Sequence, residues 1–249
     1  MMNAQLIEIF GSIQGEGTYL GERHLFVRFA GCHRSCAYCD TPFVQVPELS
    51  IETAFGSGKM HQESNPVSPD QLTKLLTTLD PEQLAHRLSI TGGEPLLQAD
   101  FLEEWLPEIS KLYPIYLETA GDLVAPLQRV LPWIQTVAMD WKLESVSGEK
   151  SRPELHEEFL AICQKAGVEV LVKLVVSAKT NEQELLAALN CIKKVGGTNT
   201  PVIFQPLTPS SKMKEAPSGT QLLSWQESAL RILSSVRVIP QVHQSLNLF

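Results

Sequence analysis

The sequence has no hydrophobic run long enough to span a membrane and no recognisable targeting segment. Its longest apolar stretches, such as residues 168–176, are interrupted by a glutamate and a lysine, whereas a membrane helix needs about 20 apolar residues. The first eight residues lack both the basic start and the apolar core of a signal peptide. We therefore expect a soluble, cytoplasmic protein with no membrane partner.

Positive charge is scarce as well. The chain has 20 Lys and Arg against 28 Asp and Glu, and no basic run is longer than Lys193-Lys194. Nucleic-acid-binding proteins concentrate basic residues on one face, so this composition argues against a nucleic acid partner. Hydrophobic residues make up 43% of the 249 positions, which excludes disordered and low-complexity classes. A small-molecule partner is the expectation that remains.

Cysteines are few, and three of the five lie close together. Cys32, Cys36 and Cys39 form a C-x₃-C-x₂-C pattern, whereas Cys163 and Cys191 stand apart on apolar faces of predicted helices. An odd number of cysteines argues against a disulfide framework. The two isolated cysteines are predicted to be inert core residues, because free cysteine is usually buried.

The cysteine pattern alone leaves three interpretations open. Three thiolates close a structural zinc site only with a fourth ligand, such as His24 or His33. The same three thiolates hold a four-iron cluster and leave one iron open to a substrate or cofactor. A reactive loop without any metal is the third interpretation.

Short β-like segments alternate with amphipathic helical ones, which indicates parallel βαβ units with right-handed crossovers. Ser68 and Gln71 predict a capping box at the start of a helix. Further predicted segments are the strands 115–119, 136–140 and 168–177 and the helices 123–134 and 222–234. About six consecutive units are present, too few for an eight-stranded barrel. We predict an α/β fold, a partial (β/α)₆ barrel with an N-terminal strand extension, in a single domain over residues 1–249. A doubly wound sheet is the alternative. Residues 44–67 show no clear period and are predicted to form an insertion loop.

Polar residues recur where the predicted strands end. Ligands of parallel α/β proteins bind at the carboxyl ends of the strands, so we expect one site that uses all of these positions. They are the cysteine cluster, Gly92-Gly93-Glu94, Glu118-Thr119, Asp140 with Lys142, Ser177 and Gln205.

Two motifs resemble the signatures of the radical S-adenosylmethionine (SAM) superfamily. The cysteine pattern, with Tyr38 before its last cysteine, is similar to the cluster motif, and Gly92-Gly93-Glu94-Pro95 is similar to the second motif. Segments 9–17, 26–32 and 39–41 further resemble the 7-carboxy-7-deazaguanine synthases, and weaker matches continue to residue 243. The resemblance implies a barrel of the radical SAM type. It also implies a [4Fe-4S] cluster on Cys32, Cys36 and Cys39, with SAM bound to the fourth iron.

The resemblance implies the reaction and its partners. The family converts 6-carboxy-5,6,7,8-tetrahydropterin to 7-carboxy-7-deazaguanine with release of ammonia, in the pathway to queuosine, a tRNA modification. A flavodoxin or ferredoxin as electron donor, and a homodimer, follow from the same resemblance. Two other functions stay open: a glycyl-radical-activating enzyme acting on a partner protein, and a non-catalytic metal or iron–sulfur module.

Arg28 is the most informative candidate for binding the pterin. Strand alternation puts it on the same face as Phe26 and Ala30, and an inward guanidinium is costly unless it is paired. A substrate carboxylate would pair with it in bidentate fashion, whereas the alternative is a solvent-exposed strand edge. The resemblance adds further substrate contacts: Ile13, Gln14, Gly15, Glu16 and Thr91. An ordinary glycine turn is the alternative for residues 13–15, and exposure to solvent is the alternative for Glu16.

The resemblance also assigns cofactor contacts. Thr41 would ligate Mg²⁺ through its hydroxyl, although a helix N-cap before Pro42 explains the same residue. His243 either closes the site from the C-terminal tail or is exposed. In this chain, Asp140-Trp141-Lys142 stands where the family has a Ser-Pro-Lys-like turn. The implied SAM contacts are Tyr38, Cys39, Asp40, Gly92, Gly93, Glu94, Glu118, Asp140, Lys142, Ser177 and Gln205.

Overall fold

The computed structural model describes residues 2–39, 46–246 and 248, without the side chain of Gln244. Asp40 and Thr41, two predicted cofactor residues, lie outside this part of the chain. Ten strands are found within it: β1 (Leu6–Ile13), β2 (Arg23–Phe29), β3 (Glu48–Glu52), β4 (Met60–Ser64), β5 (Arg87–Gly92), β6 (Ile115–Thr119), β7 (Thr136–Asp140), β8 (Glu169–Val176), β9 (Val202–Pro206) and β10 (Val236–Val238).

Helices separate most of the strands, as the alternation predicts. The first long helix begins after Ser68, whose side chain and that of Gln71 form the predicted capping box, and Asn181 caps the sixth helix. Gly167 ends the fifth helix at a positive φ of 70°. The helices are α1 (Pro69–Leu79), α2 (Ala99–Ile109), α3 (Val124–Val130), α4 (Glu144–Ser147), α5 (Pro153–Ala166), α6 (Glu182–Gly196), α7 (Gly219–Leu230) and α8 (Val242–Ser245).

The strands of the described residues form one sheet in the order β10-β9-β8-β7-β6-β5-β2-β1-β3-β4. Strand β2 and strands β5 to β10 run parallel to one another, and β1 pairs antiparallel with β2. The sheet is not closed, because β4 and β10 are its two edges. These observations confirm the α/β fold, the partial barrel and the N-terminal strand extension.

The sheet curls so that distant strands face one cavity. The loop between β1 and β2 carries Glu16, whose carboxylate lies 2.7 Å from Lys173 on β8, although three strands separate β2 from β8. The same loop contacts the C-terminal segment, because Val242 N donates to the Gly15 carbonyl at 3.0 Å. The loop and the C-terminal segment thus cover the open side of the curled sheet.

The core divides into an outer and an inner part. Helices α1 to α7 bury the outer face of the sheet in one large cluster that includes Phe29, Trp105 and Phe159. The inner face carries a small separate cluster formed by one residue from each of four neighbouring strands: Tyr116, Ala138, Leu171 and Ile203. In the part of the chain that is described, none of the helices combines the length and the apolar character that crossing a bilayer requires.

Three details of the sequence interpretation need correction. Residues 44–67, predicted as an insertion loop, contain the antiparallel hairpin β3–β4, which extends the sheet beyond β1. Strand β4 is exposed along almost its whole length, so it lacks the apolar alternation by which strands are recognised. Helix α7 begins three residues before the predicted residue 222, at a second capping box on Ser218. The predicted helix 123–134 ends at Val130 and continues as a 3₁₀ turn.

Candidate active site

Six strands each place one polar side chain on the inner face, and on β6 to β9 this side chain lies two positions after a residue of the inner apolar cluster. Side chains alternate along a strand, so the residues at i+2 from Tyr116, Ala138, Leu171 and Ile203 point the same way as these four. We call the resulting set the polar ring: Arg28 (β2), Thr91 (β5), Glu118 (β6), Asp140 (β7), Lys173 (β8) and Gln205 (β9).

The polar ring surrounds a cavity of about 390 Å³, large enough for a small ligand. The cysteine loop, the Gly92-Gly93 turn and the β1–β2 loop also line this cavity. Most of the predicted site residues within the described chain therefore lie together: Ile13, Gln14, Gly15, Glu16, Arg28, Cys32, Cys36, Tyr38, Cys39, Thr91, Gly92, Gly93, Glu118, Asp140, Lys142 and Gln205.

Arg28 faces the cavity rather than a solvent-exposed edge. Its side chain is 24% exposed, and its Nε donates to Glu8 Oε1 at 2.7 Å across the β1–β2 pair. Among the described residues, Glu8 is its only hydrogen-bond acceptor, so both Nη groups stay available to a ligand. Two free guanidinium N–H groups are suited to a carboxylate.

A hydrogen-bonded chain connects the β1–β2 loop to the polar ring. The Gln14 amide nitrogen donates to Glu118 Oε1 at 3.1 Å, and the Thr91 hydroxyl donates to Glu118 Oε2 at 2.8 Å. The Gln14 amide oxygen in turn accepts from Glu16 N at 3.1 Å. This chain fixes three of the predicted substrate residues relative to one another.

Four charged side chains form an alternating network that runs from the β1–β2 loop to the end of β7. Glu16 pairs with Lys173, and Asp140 lies 2.7 Å from Lys142 and 3.5 Å from Lys173. Burial alone would raise the pKa of the Asp140 carboxyl, but Lys142 and Lys173 hold it below its usual value. Burial would likewise lower the pKa of Lys142, and Asp140 instead raises it. All four groups are charged at neutral pH.

The cysteine loop is anchored by a buried ion pair. Arg34 Nη2 lies 2.6 Å from Asp122 Oδ2, and Nε of the same arginine donates to this oxygen at 3.0 Å, with both side chains almost fully buried. His33 binds the other oxygen of Asp122 at 2.8 Å. The loop of Cys32, Cys36 and Cys39 is therefore held by contacts that leave the cysteines facing the cavity.

The three cysteine side chains line one cavity, and none of them forms a disulfide. Among the described residues, no three His, Cys, Asp or Glu side chains are grouped closely enough to share one metal ion. In a four-iron cluster each thiolate binds a different iron, and the fourth iron stays open. The donor set of three thiols in one loop fits that arrangement.

The rest of the cavity fits a nucleotide cofactor. Gly92 has a φ of 126°, and a Cβ atom at Gly92 or Gly93 would overlap the backbone of Phe29 or Gly31. Asp140 Oδ1 and Gln205 Oε1 are buried acceptors that find no hydrogen-bond donor among the described residues. Buried acceptors need donors, and the hydroxyl and amino groups of a nucleoside supply them.

Two predicted cofactor residues do not reach the cavity wall. The Glu94 carboxylate is fully buried and accepts from Leu96 N, Thr119 Oγ1 and Ala120 N, so it joins the ends of β5 and β6. Ser177 lies just beyond the last residue of β8, where strand alternation no longer applies. Its hydroxyl accepts from Lys179 N at 3.1 Å. Both side chains therefore form hydrogen bonds within the protein and do not line the cavity.

Lys173 and Gln241 are among the polar residues of the cavity that the sequence did not reveal. Lys173 lies in a predicted buried strand, 168–177, whose continuous apolar run hid the single inward-facing lysine. The alternation rule that placed Arg28 correctly also applies to β8 and identifies Lys173. Gln241, whose amide donates to Glu16 Oε1 at 2.9 Å, follows β10 and carries no comparable signal.

The remaining cysteines and His243 have clear positions. Cys163 is fully buried, and burial raises its thiol pKa to about 12. Cys191 is only half-buried and packs against the core beside Glu157. His243 lines the cavity, and its ring packs on Gly15 so closely that a Cβ atom there would overlap it. The C-terminal segment therefore does close one side of the cavity.

Comparison with known proteins defines the class to which this fold and site belong. Residues 26–192 match the Radical SAM superfamily, so the chain is a radical SAM protein, for which a [4Fe-4S] cluster and SAM are implied. It is 37% identical over 244 residues to a 7-carboxy-7-deazaguanine synthase of Geobacter sulfurreducens, across 97% of this chain and 96% of that relative. The synthase of Archaeoglobus fulgidus is 35% identical, across 98% and 99%. The chain belongs to the 7-carboxy-7-deazaguanine synthase family.

A solved structure supports the fold. The crystal structure of QueE from Escherichia coli matches with a TM-score of 0.58 over 97% of this chain and 95% of that chain, at 19% sequence identity. Membership of the family confirms the expectation of a radical SAM lyase. A glycyl-radical-activating enzyme and a non-catalytic metal module are not favoured, because the relatives matched over their full length are synthases.

Proposed function

We propose that the chain acts as one radical SAM domain that converts 6-carboxy-5,6,7,8-tetrahydropterin to 7-carboxy-7-deazaguanine and releases ammonia. The observation that carries this proposal is Arg28, whose side chain lines the same cavity as the cysteine loop and whose Nη groups bind no acceptor among the described residues. The proposed substrate has a carboxylate that matches this guanidinium. The names of the relatives with 37% and 35% identity support the same reaction.

The pterin would lie on the Arg28 side of the cavity. Its carboxylate would pair with the Arg28 guanidinium, and its ring would be recognised by the Gln14 side chain, the backbone of Ile13 and Gly15, and Thr91. The Glu16 carboxylate accepts hydrogen bonds and suits the amino group of a pterin. Fixed polar groups in a cavity closed by the C-terminal segment orient the substrate and exclude water.

The cluster and SAM would occupy the other side. Cys32, Cys36 and Cys39 would hold the cluster, and together with SAM it supplies one-electron, hydrogen-abstracting chemistry. The Gly92-Gly93 turn admits a ligand against the backbone. Side chains with free or charged polar groups would complete the SAM site, namely Tyr38, Asp40, Glu118, Asp140, Lys142 and Gln205. Glu94 and Ser177 would support the SAM site without contacting SAM, because their side chains do not reach the cavity.

Further proposals rest on the family resemblance. Thr41 would supply a hydroxyl to Mg²⁺, which prefers hard oxygen ligands. The electron would come from a flavodoxin or ferredoxin, and the protein would work as a homodimer in the cytoplasm, where thiols stay reduced. None of the five cysteines forms a disulfide, in keeping with such a compartment.

Anaerobic turnover tests the proposed function. The reconstituted protein is incubated with 6-carboxytetrahydropterin, SAM, Mg²⁺ and dithionite, and the products are analysed by mass spectrometry. We expect 7-carboxy-7-deazaguanine and an equal amount of ammonia. Cys36→Ala is expected to lose both cluster and product, since no other side chain replaces the thiolate.

The matched control is Cys163→Ala, which removes a buried thiol outside the cavity. This variant is expected to keep its iron, its sulfide and its turnover. If the parent protein binds a cluster and cleaves SAM but leaves the pterin unchanged, the proposed substrate is wrong.

A further inference from the structure

Lys173 makes the ionic contacts that join the two sides of the cavity. Its side chain is 16% exposed, its Nζ lies 2.7 Å from Glu16 Oε2, and Asp140 Oδ2 is 3.5 Å away. Glu16 belongs to the β1–β2 loop, and Asp140 ends β7. One ammonium group therefore connects a loop residue on the substrate side with a polar-ring residue on the SAM side.

The contacts of Glu16 explain why its orientation depends on Lys173. One carboxylate oxygen binds Lys173, and the other accepts from Gln241 Nε2 at 2.9 Å. The oxygen of the Gln241 amide is itself held by the Thr208 hydroxyl at 2.8 Å. Of these partners, Lys173 alone carries a full positive charge and sits on a strand of the sheet. It fixes the carboxylate relative to the rigid part of the molecule.

We propose that Lys173 is a positioning residue, which holds the ionised Glu16 carboxylate in place for the pterin and links it through Asp140 to the SAM side. This inference rests on the proposed function, because Glu16 contacts the pterin only in that reaction. Lys173 does not touch the reacting atoms in this account. Its effect on binding passes through Glu16.

Electrostatics give the proposal a measurable signature. Burial alone would raise the pKa of the Glu16 carboxyl, but Lys173, Gln241 and His243 hold it below its usual value. Without the lysine, burial dominates and the carboxyl takes up a proton as the pH falls. The groups that face this pair from the neighbouring elements are Tyr116 and Glu118 on β6, Asp140 and Lys142 at the end of β7, and His243 in α8.

The test compares Lys173→Met, Lys173→Arg and the double variant Glu16→Gln/Lys173→Met between pH 6 and pH 8.5. For Lys173→Met we expect the KM for 6-carboxytetrahydropterin to rise by about tenfold or more relative to the parent, and by most at pH 6. The KM for SAM should change less. Lys173→Arg keeps the charge and should keep the flat pH profile of the parent.

The double variant separates a positioning role from a merely structural one. With Glu16→Gln no buried carboxylate is left unpaired, so the extra pH dependence of Lys173→Met should disappear. The matched control is Lys179→Met, an exposed lysine just after β8 that pairs with Glu215. It should behave as the parent. A flat profile in Lys173→Met, or equal increases in both KM values, would overturn the proposal.

A second readout keeps this inference separate from the proposed function. Amide hydrogen exchange of residues 14–22 is measured in the cluster-loaded proteins without pterin. We expect exchange to be about tenfold faster in Lys173→Met and close to the parent in the double variant. If the parent fails to turn over the pterin, the proposed function falls. Unchanged exchange in Lys173→Met would then contradict the role of Lys173 on its own.

Discussion

At the residue scale, the cavity divides its polar groups into those already paired within the protein and those left for a ligand. Asp140 neutralises Lys142, and Glu16 neutralises Lys173, so neither lysine needs an anionic ligand. Arg28 is also paired, with Glu8, but among the described residues Glu8 contacts only its Nε. In the proposed reaction, the Nη donors of Arg28 would bind the carboxylate of the substrate.

The proposed role of Thr41 leads to a prediction about Mg²⁺. Thr41→Val keeps the branched shape but removes the oxygen, so we expect most turnover to be lost together with its dependence on Mg²⁺. Thr41→Ser retains a hydroxyl and should remain active and Mg²⁺-dependent. The measurement is the initial rate against Mg²⁺ concentration for the three proteins.

The N-cap interpretation of Thr41 predicts a different outcome. Thr41→Val would then lower stability by about 1 kcal/mol and leave the Mg²⁺ response as in the parent. A valine variant that still responds to Mg²⁺ would remove Thr41 from the metal site.

At the scale of elements, one buried carboxylate holds the turn of the hairpin β3–β4 against β1. Glu52 is 2% exposed and accepts hydrogen bonds from Gly11 N at 2.9 Å, Gly56 N at 3.0 Å and Gly58 N at 2.7 Å. The Phe55 ring covers Gly11 so closely that a Cβ atom would overlap it. These contacts fix the hairpin turn against β1.

Glu52→Gln is expected to destabilise the protein by about 2–3 kcal/mol, because the new amide places a donor against backbone donors in a buried site. Thermal unfolding of the anaerobic, cluster-loaded protein measures the change. Glu63→Gln is the matched control on the exposed strand β4 and should shift stability by less than about 0.5 kcal/mol. Equal shifts in the two variants would show that the carboxylate does not anchor the hairpin.

The elements also show what the sequence can predict. Strands β6 and β7 have the predicted bounds, because their apolar runs end abruptly at polar residues. The polar ring follows from strand alternation once the inward face is known, as the position of Arg28 illustrates. The hairpin β3–β4 could not be predicted, since its stability comes from Glu52 and tertiary contacts rather than from an apolar pattern. Glu94 and Ser177 lie beyond the ends of their strands, where strand alternation does not predict the direction of a side chain.

At the scale of the whole molecule, burial of neutral histidines makes the fold sensitive to acid. His156 is fully buried between Trp141 and the Ala120 carbonyl, and burial lowers its pKa to about 4. Burial also lowers the pKa of His24 to about 4. The unfolded chain binds a proton at each position near pH 6.5, so unfolding takes up protons and stability falls as the pH decreases below that value.

We predict that the lowered pKa of His156 alone reduces the free energy of unfolding by about 2 kcal/mol as the pH falls from 7 to 5. His156→Gln keeps a donor for the Ala120 carbonyl but does not titrate. At pH 5, unfolding of this variant should therefore take up about one proton fewer than unfolding of the parent, and its stability should depend less on pH. Denaturant unfolding at a series of pH values measures both slopes. Parallel slopes for the parent and the variant would mean that His156 is protonated in the folded state.

The most direct test of the central claim is the pair of KM values of Arg28→Ala and Gln205→Ala, on opposite sides of one cavity. Arg28→Ala should raise the KM for 6-carboxytetrahydropterin by about a hundredfold through loss of a charge-assisted pair, with little change for SAM. Gln205→Ala should instead raise the KM for SAM, by less than a hundredfold, and leave the KM for 6-carboxytetrahydropterin unchanged. Equal losses of both ligands in either variant would contradict the division of the cavity into a substrate side and a SAM side.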